Sequence, residues 1–302
     1  MRTGFSLPQF APMDRQFDQL ARFAREAEEL GAGSLWVGDR VLAALDPAVG
    51  YGGGTTIPPE LHAALDPFVA LSVAAAVTDR ALLGTSTLIA PWYPPLLLAR
   101  SLTGIDVVSR GRLIAGLGSG WSPEEYEGVG VPWKERGARL DESLDILESV
   151  WTAAPVPRYD GAHHSVPAAH IGPKPVQRPR PPVYLSAFSP ASQRRAARRA
   201  DGIMPVAFVT PGGSYDPAAT VTAPLRDLRR LAEAEGRDPA GVGAILRINV
   251  AAGSTPRDIA DVVRRTRDET ELDHVFADLV YLVDQSVDQA LDLAGQVLEL
   301  SR

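Results

Sequence analysis

The sequence predicts an α/β fold, a TIM (β/α)8 barrel built as one domain over residues 1–302. Short apolar runs alternate with helical periods along the whole chain, and counting them gives eight strands that are each followed by a helix. The strands are near-continuous apolar runs, which is typical of a parallel sheet buried on both faces. No G-x-G-x-x-G follows the first strand, where a dinucleotide-binding open sheet would need it, so the eight units favour the barrel.

The elements follow one another in a regular order. The first helical period runs from Phe17 to Leu30 and stops at Gly31, a residue type that commonly follows a helix. The predicted strands are 4–7, 34–37, 81–86, 112–116, 183–186, 202–205, 244–250 and 274–283. The predicted helices are 17–30, one from Asp66, 95–108, 133–151, 190–200, 222–235, 256–270 and one from Ser286.

Two segments interrupt this alternation. Residues 42–62 contain a run of three glycines from Gly52 and a pair of prolines at Pro58, without any apolar period, and this pattern indicates a long loop. Residues 155–182 are rich in proline and contain three of the five histidines. We expect this second segment to be an irregular insertion between helix 4 and strand 5, not a linker between domains.

Composition excludes several classes of protein. Without cysteine the chain has no disulfide, no thiolate metal site and no cysteine nucleophile, and the five histidines lack the i, i+4 spacing of a metal pair, so no metal is expected. The net charge of −7 is spread along the chain, which argues against nucleic-acid binding. No apolar stretch approaches the roughly 20 residues that span a bilayer, and the first residues do not resemble a signal peptide. We therefore expect a cytoplasmic protein.

In a TIM barrel the active site lies at the carboxyl ends of the strands, and this rule selects candidate residues. These ends carry few carboxylates, which disfavours a two-carboxylate glycosidase, and no G-x-S-x-G motif indicates an α/β-hydrolase. Small residues with isolated polar side chains suit instead a large planar cofactor that does the chemistry. The candidates are Gln9, Asp39, Arg40, Ser86, Thr87, Ser119, Gly120, Trp121, residues 186–189, Pro205, Val206, Arg247, Asn249 and Tyr281.

Several motifs resemble the luciferase-like oxidoreductases, a superfamily of TIM barrels that use reduced flavin or the deazaflavin coenzyme F420. They are LGTSTL at 83–88, PPLLLAR at 94–100, SRGR at 109–112, GLGSGW at 116–121 and RLDE at 139–142. The resemblance runs from the first strand to about Ala200. The last third of the chain fits the family only by its alternation of strands and helices. Asp39-Arg40, the long glycine-rich loop and the Gly-Ser-Gly-Trp turn are most similar to the actinobacterial F420-dependent branch.

The resemblance implies three cofactor-binding segments. At the end of strand 3 the family carries a strained, often cis, non-prolyl peptide against the central ring of the cofactor, here Ser86-Thr87. After strand 4, the residues Ser119, Gly120 and Trp121 match the stretch that contacts the polyol tail and the ring edge. After strand 5, the residues Ala187, Phe188 and Ser189 match the phosphate site at a helix N-terminus, to which Arg194 or Arg195 could add charge. Phe188 departs from the family, which commonly has glycine there.

Asp39 and Arg40 are the predicted catalytic residues. Related deazaflavin enzymes carry Asp-His at these positions, so Arg40 departs from the pattern. Arginine keeps its proton at any ordinary pH and cannot be a general acid or base, but it could hold a carboxylate, a phosphate or a developing oxyanion. A structural salt bridge from Arg40 to Asp39 or Asp66 is the alternative.

These residues together predict an oxidoreductase that transfers a hydride between F420 and a small organic substrate. A reduced-FMN, two-component monooxygenase is an alternative, and a non-catalytic cofactor-binding or partner subunit is another. F420 is favoured because monooxygenases of the family commonly place histidine or cysteine near the reactive ring, whereas this chain has no cysteine and no histidine at the ends of strands 1 to 7. The resemblance also implies a homodimer. The two insertions are expected to set substrate specificity.

Overall fold

Eight parallel strands close into a barrel in the computed structural model, which describes residues 1–11, 13–280 and 286–302. In chain order, β1 to β8 are Arg2–Ser6, Ser34–Val37, Leu82–Thr85, Leu113–Gly118, Val183–Leu185, the segments Gly202–Ile203 and Val206–Val209, the segments Gly243–Ala244 and Leu246–Val250, and His274–Asp278. Each strand pairs with the next, and β8 returns to β1 through register pairs from Arg2 with His274 to Phe5 with Ala277. The predicted barrel is confirmed.

Eight helices surround the strands, one after each of them. They are α1 Leu20–Leu30, α2 Pro67–Val77, α3 Pro95–Val108, α4 Arg136–Thr152, α5 Pro190–Arg199, α6 Ala223–Ala234, α7 Pro256–Glu269 and α8 Val287–Leu300. Proline occupies the first position of four of them, where its missing N–H costs no hydrogen bond. Gly31 ends α1 at a φ of 109°, which favours glycine over residues that carry a Cβ.

The barrel interior is filled at its base and polar above it. Trp36, Ile114, Met204, Ile245 and Phe276 form a buried apolar cluster, with the Trp36 and Phe276 rings stacked at 4.3 Å. Because this cluster closes the base, the open end of the lumen lies at the carboxyl ends of the strands. We call these strand ends and the loops that follow them the carboxyl rim.

A buried hydrogen-bonded chain ties β2 to β8 at the base of the lumen. Trp36 Nε1 donates to Ser34 Oγ at 2.8 Å, and Ser34 Oγ lies 2.8 Å from His274 Nε2. Burial, with a smaller contribution from the charge of Arg2, lowers the pKa of His274 to about 3, so the imidazole is neutral at physiological pH. His274 thus lies at the opposite end of the barrel from the carboxyl rim.

The structure departs from the predicted elements in four places. The third strand resumes after the Ser86-Thr87 peptide as the segment Leu88–Ile89, which pairs with Leu117 and Gly118 of β4. The sixth strand resumes after Pro205, which lacks the N–H that a sheet requires, and continues to Val209. A short helix, Pro123–Gly128, was not predicted. The predicted eighth strand ends at Asp278, residues 279–280 lie beyond its end, and residues 281–283, with Tyr281, lie outside the described residues.

The two insertions are less irregular than predicted. Residues 155–182 contain a small antiparallel hairpin, Tyr159–Asp160 with Ser165–Val166. Residues 42–62 contain two 3₁₀ turns, Tyr51–Gly53 and Pro59–Leu61. In the described part of the chain no helix is long and apolar enough to cross a membrane.

Candidate active site

The ends of β3, β4 and β5 converge on Gly118. A Cβ placed on Gly118 would lie 2.7 Å from Thr87 Oγ1 and 2.9 Å from Ser186 Oγ, so a larger residue would displace both hydroxyls. The peptide bond between Ser86 and Thr87 is cis, which confirms the geometry predicted from the family resemblance. Three neighbouring strands therefore present hydroxyl and backbone groups around one glycine.

An ion pair crosses the lumen to the Ser86 peptide. Arg247 on β7 donates from Nη1 to the Ser86 carbonyl at 2.9 Å and from Nη2 to Asp278 Oδ2 on β8 at 2.5 Å. Asp278 is buried, and it neutralises the guanidinium. The rim rule selected Arg247 from the sequence, but it missed Asp278 because the eighth strand was expected to end later.

Asp39 is held at the end of β2 by two donors. The Tyr93 hydroxyl donates to its carboxyl at 3.0 Å, and the Ile89 N–H donates to Oδ2 at 2.8 Å. Burial raises the pKa of Asp39 to about 7, against the lowering effect of these two hydrogen bonds. The carboxyl can therefore both hold and release a proton near neutral pH.

Arg40 is paired with Glu125 and not with Asp39 or Asp66. Its Nε lies 3.7 Å from Glu125 Oε1, and the two side chains are only 6% and 3% exposed. The guanidinium also donates to the Leu42 carbonyl at 2.8 Å and lies 5.1 Å from the ring centroid of Trp121. Glu125 belongs to the unpredicted helix Pro123–Gly128, which explains why the sequence suggested other partners. The Arg40 charge is thus neutralised beneath Trp121.

The turn after β4 contacts the long loop that follows β2, residues 42–62. Tyr126 donates its hydroxyl to the Ser119 carbonyl at 2.6 Å, and Gly120 adopts a φ of 64°, which favours glycine. The Trp121 ring meets the Tyr51 ring edge-on at 5.7 Å. Because Tyr51 lies within residues 42–62, this loop reaches the candidate site.

The segment after β5 is arranged as a helix start. Ser189 and Ser192 form a reciprocal capping box at the N-terminus of α5. Arg195 pairs with Asp141 of α4 at 2.8 Å, and it is therefore committed to helix packing. Phe188 is 73% exposed. The cofactor-binding roles of Ala187, Phe188 and Ser189 stay predictions.

The remaining rim residues form a row across β6, β7 and β8. Phe208 is the register partner of Asn249, which is in turn the partner of Asp278. Phe208 is 71% exposed, and Asn249 Oδ1 is buried with no hydrogen-bond partner in the part of the chain that the structure describes. Sequence reasoning missed Phe208 because it ended the sixth strand at Pro205. The short apolar run from Val206 to Val209 was the available signal.

This arrangement suits a flat organic cofactor with a polar edge. The groups around Gly118 are neutral hydroxyls and carbonyls, which can bond to ring nitrogens and oxygens while the glycine lets a ring approach the backbone. Among the described residues no group of three or more histidines and carboxylates could hold a metal ion. The donor set therefore fits a heteroaromatic group and does not resemble a metal centre.

Comparison with known proteins agrees with this geometry. Residues 1–297 match the family model described as luciferase-like monooxygenase. The F420-dependent glucose-6-phosphate dehydrogenase of Amycolatopsis mediterranei is 33% identical over 205 residues, which are 66% of this chain and 55% of that protein. The chain spans about two thirds or less of the length of the curated relatives that it matches.

Two solved structures share the fold over the full chain. A monooxygenase from Streptomyces bottropensis superposes with a TM-score of 0.77 at 21% identity, covering 99% of this chain and 98% of its own. An F420-dependent secondary alcohol dehydrogenase in complex with an F420-acetone adduct gives a TM-score of 0.73 at 15% identity, covering both chains completely. These likenesses establish the architecture.

Proposed function

Because the chain belongs to the luciferase-like monooxygenase family, we propose that it is an oxidoreductase that transfers a hydride between coenzyme F420 and a small organic substrate. Two kinds of observation support this proposal. Relatives named F420-dependent glucose-6-phosphate dehydrogenase are 32–35% identical to the chain. The carboxyl rim combines neutral donors for a ring cofactor with one carboxyl that titrates near neutrality.

The geometry of Asp39 is the observation that carries the proposal. Hydride transfer to or from a carbon that bears oxygen requires a proton to reach or leave that oxygen. The Asp39 carboxyl is fixed by Tyr93 and Ile89 at the end of β2, next to β3, and its pKa is about 7. It therefore takes the proton of a substrate hydroxyl during oxidation and returns it during reduction.

The other rim residues have binding and positioning roles in this proposal. The peptide Ser86-Thr87, the turn 119–121 and the segment 187–189 hold the cofactor, which supplies or accepts the hydride when it is bound. Arg247 fixes the Ser86 carbonyl from across the lumen. Arg40, whose charge Glu125 compensates, lies against the Trp121 ring and holds that ring in place.

Fluorescence titrations with F420 and with FMN test the choice of cofactor. We expect micromolar binding of F420, weaker binding of FMN, and turnover of F420 with a panel of alcohols and ketones. Oxygen-consuming turnover with reduced FMN alone would show a monooxygenase instead. Tight binding of either cofactor without turnover of any substrate in the panel would favour the non-catalytic alternative.

A matched pair of glycine variants tests the binding site. Gly118→Ala displaces the Thr87 and Ser186 hydroxyls, so F420 affinity should fall about tenfold, the effect of losing one or two hydrogen bonds. Gly104→Ala adds the same methyl on α3, where no atom lies within 4 Å, and should leave the affinity unchanged. Equal F420 affinities of the two variants would show that the cofactor does not bind at the end of β4.

A further inference from the structure

We propose that the half of the carboxyl rim formed by β6, β7 and β8 binds the substrate, and that this substrate is uncharged. It is a largely apolar or aromatic molecule that offers a hydroxyl or N–H donor beside its reacting group, not a phosphorylated or carboxylated compound. This inference rests on the proposed function, because it places the cofactor on the facing half, at β3 to β5.

Three side chains of this half, Phe208, Asn249 and Asp278, point into the lumen. On β6, Ala207 and Val209 pack in the core between strands and helices, so Phe208 faces the opposite way. On β7, Ile248 and Val250 pack in that same outer core, so Asn249 faces the lumen as well. The register sets Phe208, Asn249 and Asp278 side by side at one level of the barrel.

The inner surface at this level is apolar where it is open. Phe208 is directed inward and yet 71% exposed, so a ligand seated over it would cover a large aromatic face. Covering apolar surface stabilises a complex in proportion to the area removed from water. This face suits an alkyl or aryl group.

Among the described residues of this half no lysine or arginine is left to hold an anion. The loops after β6 and β7, residues 210–222 and 251–255, and residues 279–280 after β8 contain neither lysine nor arginine. Arg247 is engaged by Asp278 and by the Ser86 carbonyl, and Arg40 by Glu125. A phosphate or carboxylate placed here would lose its hydration without gaining a partner of opposite charge, and this penalty selects against it.

The side-chain oxygen of Asn249 gives this half a buried acceptor that a ligand can satisfy. Asn249 Oδ1 is buried and accepts no hydrogen bond from any residue that the structure describes. A buried acceptor left unpaired is costly, so a ligand that supplies an O–H or N–H is favoured over one that does not. The substrate therefore needs at least one donor in addition to its apolar body.

Three probes that differ at one position test the charge preference. They are 1-phenylethanols that carry a hydroxyl, a carboxylate or a phosphate at the para position, titrated by calorimetry into the protein with and without F420. We expect the hydroxyl probe to bind at least about tenfold more tightly than either anion. Equal or tighter binding of the carboxylate or the phosphate would overturn the inference.

Two variants locate the site. Phe208→Lys supplies the missing cation and should shift the preference towards the carboxylate probe by about tenfold, whereas Leu97→Lys, at an exposed position of α3, should leave it unchanged. Asn249→Leu should abolish the difference in affinity between the hydroxyl probe and unsubstituted 1-phenylethanol. An unchanged preference in Phe208→Lys would place the substrate elsewhere.

The same titrations separate this inference from the proposed function. Failure of F420 to bind, together with Phe208-dependent binding of the hydroxyl probe, would reject the cofactor assignment and retain the substrate site. F420 binding with a preference for anionic probes would retain the cofactor assignment and reject the substrate site.

Discussion

Asp39 shows how its surroundings bring the pKa of a carboxyl close to neutrality. Removal from water favours its neutral form, while the Tyr93 hydroxyl and the Ile89 N–H stabilise its charged form, and burial outweighs them. Arg40, the neighbouring residue, does not offset this effect through a direct contact, because its ion-pair partner is Glu125. The carboxyl is thereby left near its midpoint at physiological pH.

Asp39→Asn should remove this titration while retaining an oxygen that accepts from Tyr93. We expect kcat/KM to fall by about 10²-fold and its inflection near pH 7 to disappear, since an amide cannot exchange the proton. The pH dependence of kcat/KM for both enzymes measures this. A variant that keeps both the rate and the inflection would assign the proton transfer to another group.

The Arg247–Asp278 pair separates stability from positioning. Arg247→Met leaves the buried Asp278 carboxylate unpaired and should lower the free energy of unfolding by about 3 kcal/mol. Adding Asp278→Leu removes that charge and should restore stability, yet the Ser86 carbonyl still lacks its donor. We expect the double variant to fold normally and to bind F420 more weakly than the wild type. If the double variant bound F420 as tightly as the wild type, the Arg247–Asp278 pair would contribute to stability alone and not to cofactor binding.

At the scale of the elements, β3 is shaped by a side chain of β2. A Cβ on Gly84 would lie 2.2 Å from Trp36 Cζ3, so β3 can pack this closely against the tryptophan ring only because residue 84 is glycine. Gly84→Ala should lower the free energy of unfolding by about 1–3 kcal/mol through overpacking. Adding Trp36→Phe, which withdraws the six-membered ring nearest the new methyl, should recover part of that loss in urea denaturation. No recovery would mean that the strain lies elsewhere.

The elements that the sequence predicted well have local signals at both ends. Helix α3 begins at Pro95 and ends at Val108, as expected from its proline and its apolar period. The helix Pro123–Gly128 had such a signal too, with Ser122 as its cap and two glutamates in its first turn, but it was too short to show a period. Pro205 misled the prediction of β6, since proline often ends a strand while here the ladder resumes one residue later.

The candidate site divides in the same way. Asp39 and Ser86 follow strands directly, so the barrel rule alone places them at the rim. The partners Glu125 and Asp278 come from distant parts of the chain, and only the closed sheet brings them to Arg40 and Arg247. Ion pairs between residues of different strands and loops have no fixed spacing in the sequence, so the sequence does not predict them.

At the scale of the whole molecule, two buried groups give the barrel opposite responses to pH. The pKa of His274 is lowered to about 3, so the unfolded chain binds the additional proton and stability falls as the pH drops below about 6.5. The pKa of Asp39 is raised to about 7, so the folded chain binds the additional proton and stability falls as the pH rises from about 4 to 7. Between about pH 4 and 6.5 the two effects oppose each other.

Single variants should expose each effect in turn. Relative to the wild type, the unfolding free energy of Asp39→Asn should rise with pH across this window by up to about 1.4 kcal/mol per pH unit, and that of His274→Gln should fall by a similar amount. The double variant should follow the wild-type slope. Urea denaturation at half-unit pH steps measures all four slopes, and parallel curves for the four proteins would contradict the assignment of these protons.

The guanidinium of Arg247 reaches both halves of the rim, and this makes it a point of thermodynamic linkage. A ligand that shifts the Ser86 peptide alters the balance of hydrogen bonds that the same group shares with Asp278, beside the row that ends at Phe208. By reciprocity, the factor by which a first ligand changes the affinity for a second equals the factor in the reverse order of addition. We therefore expect that a ligand bound at the Ser86 peptide changes the affinity of the barrel for a second ligand beside Asp278, and that Arg247 carries this coupling.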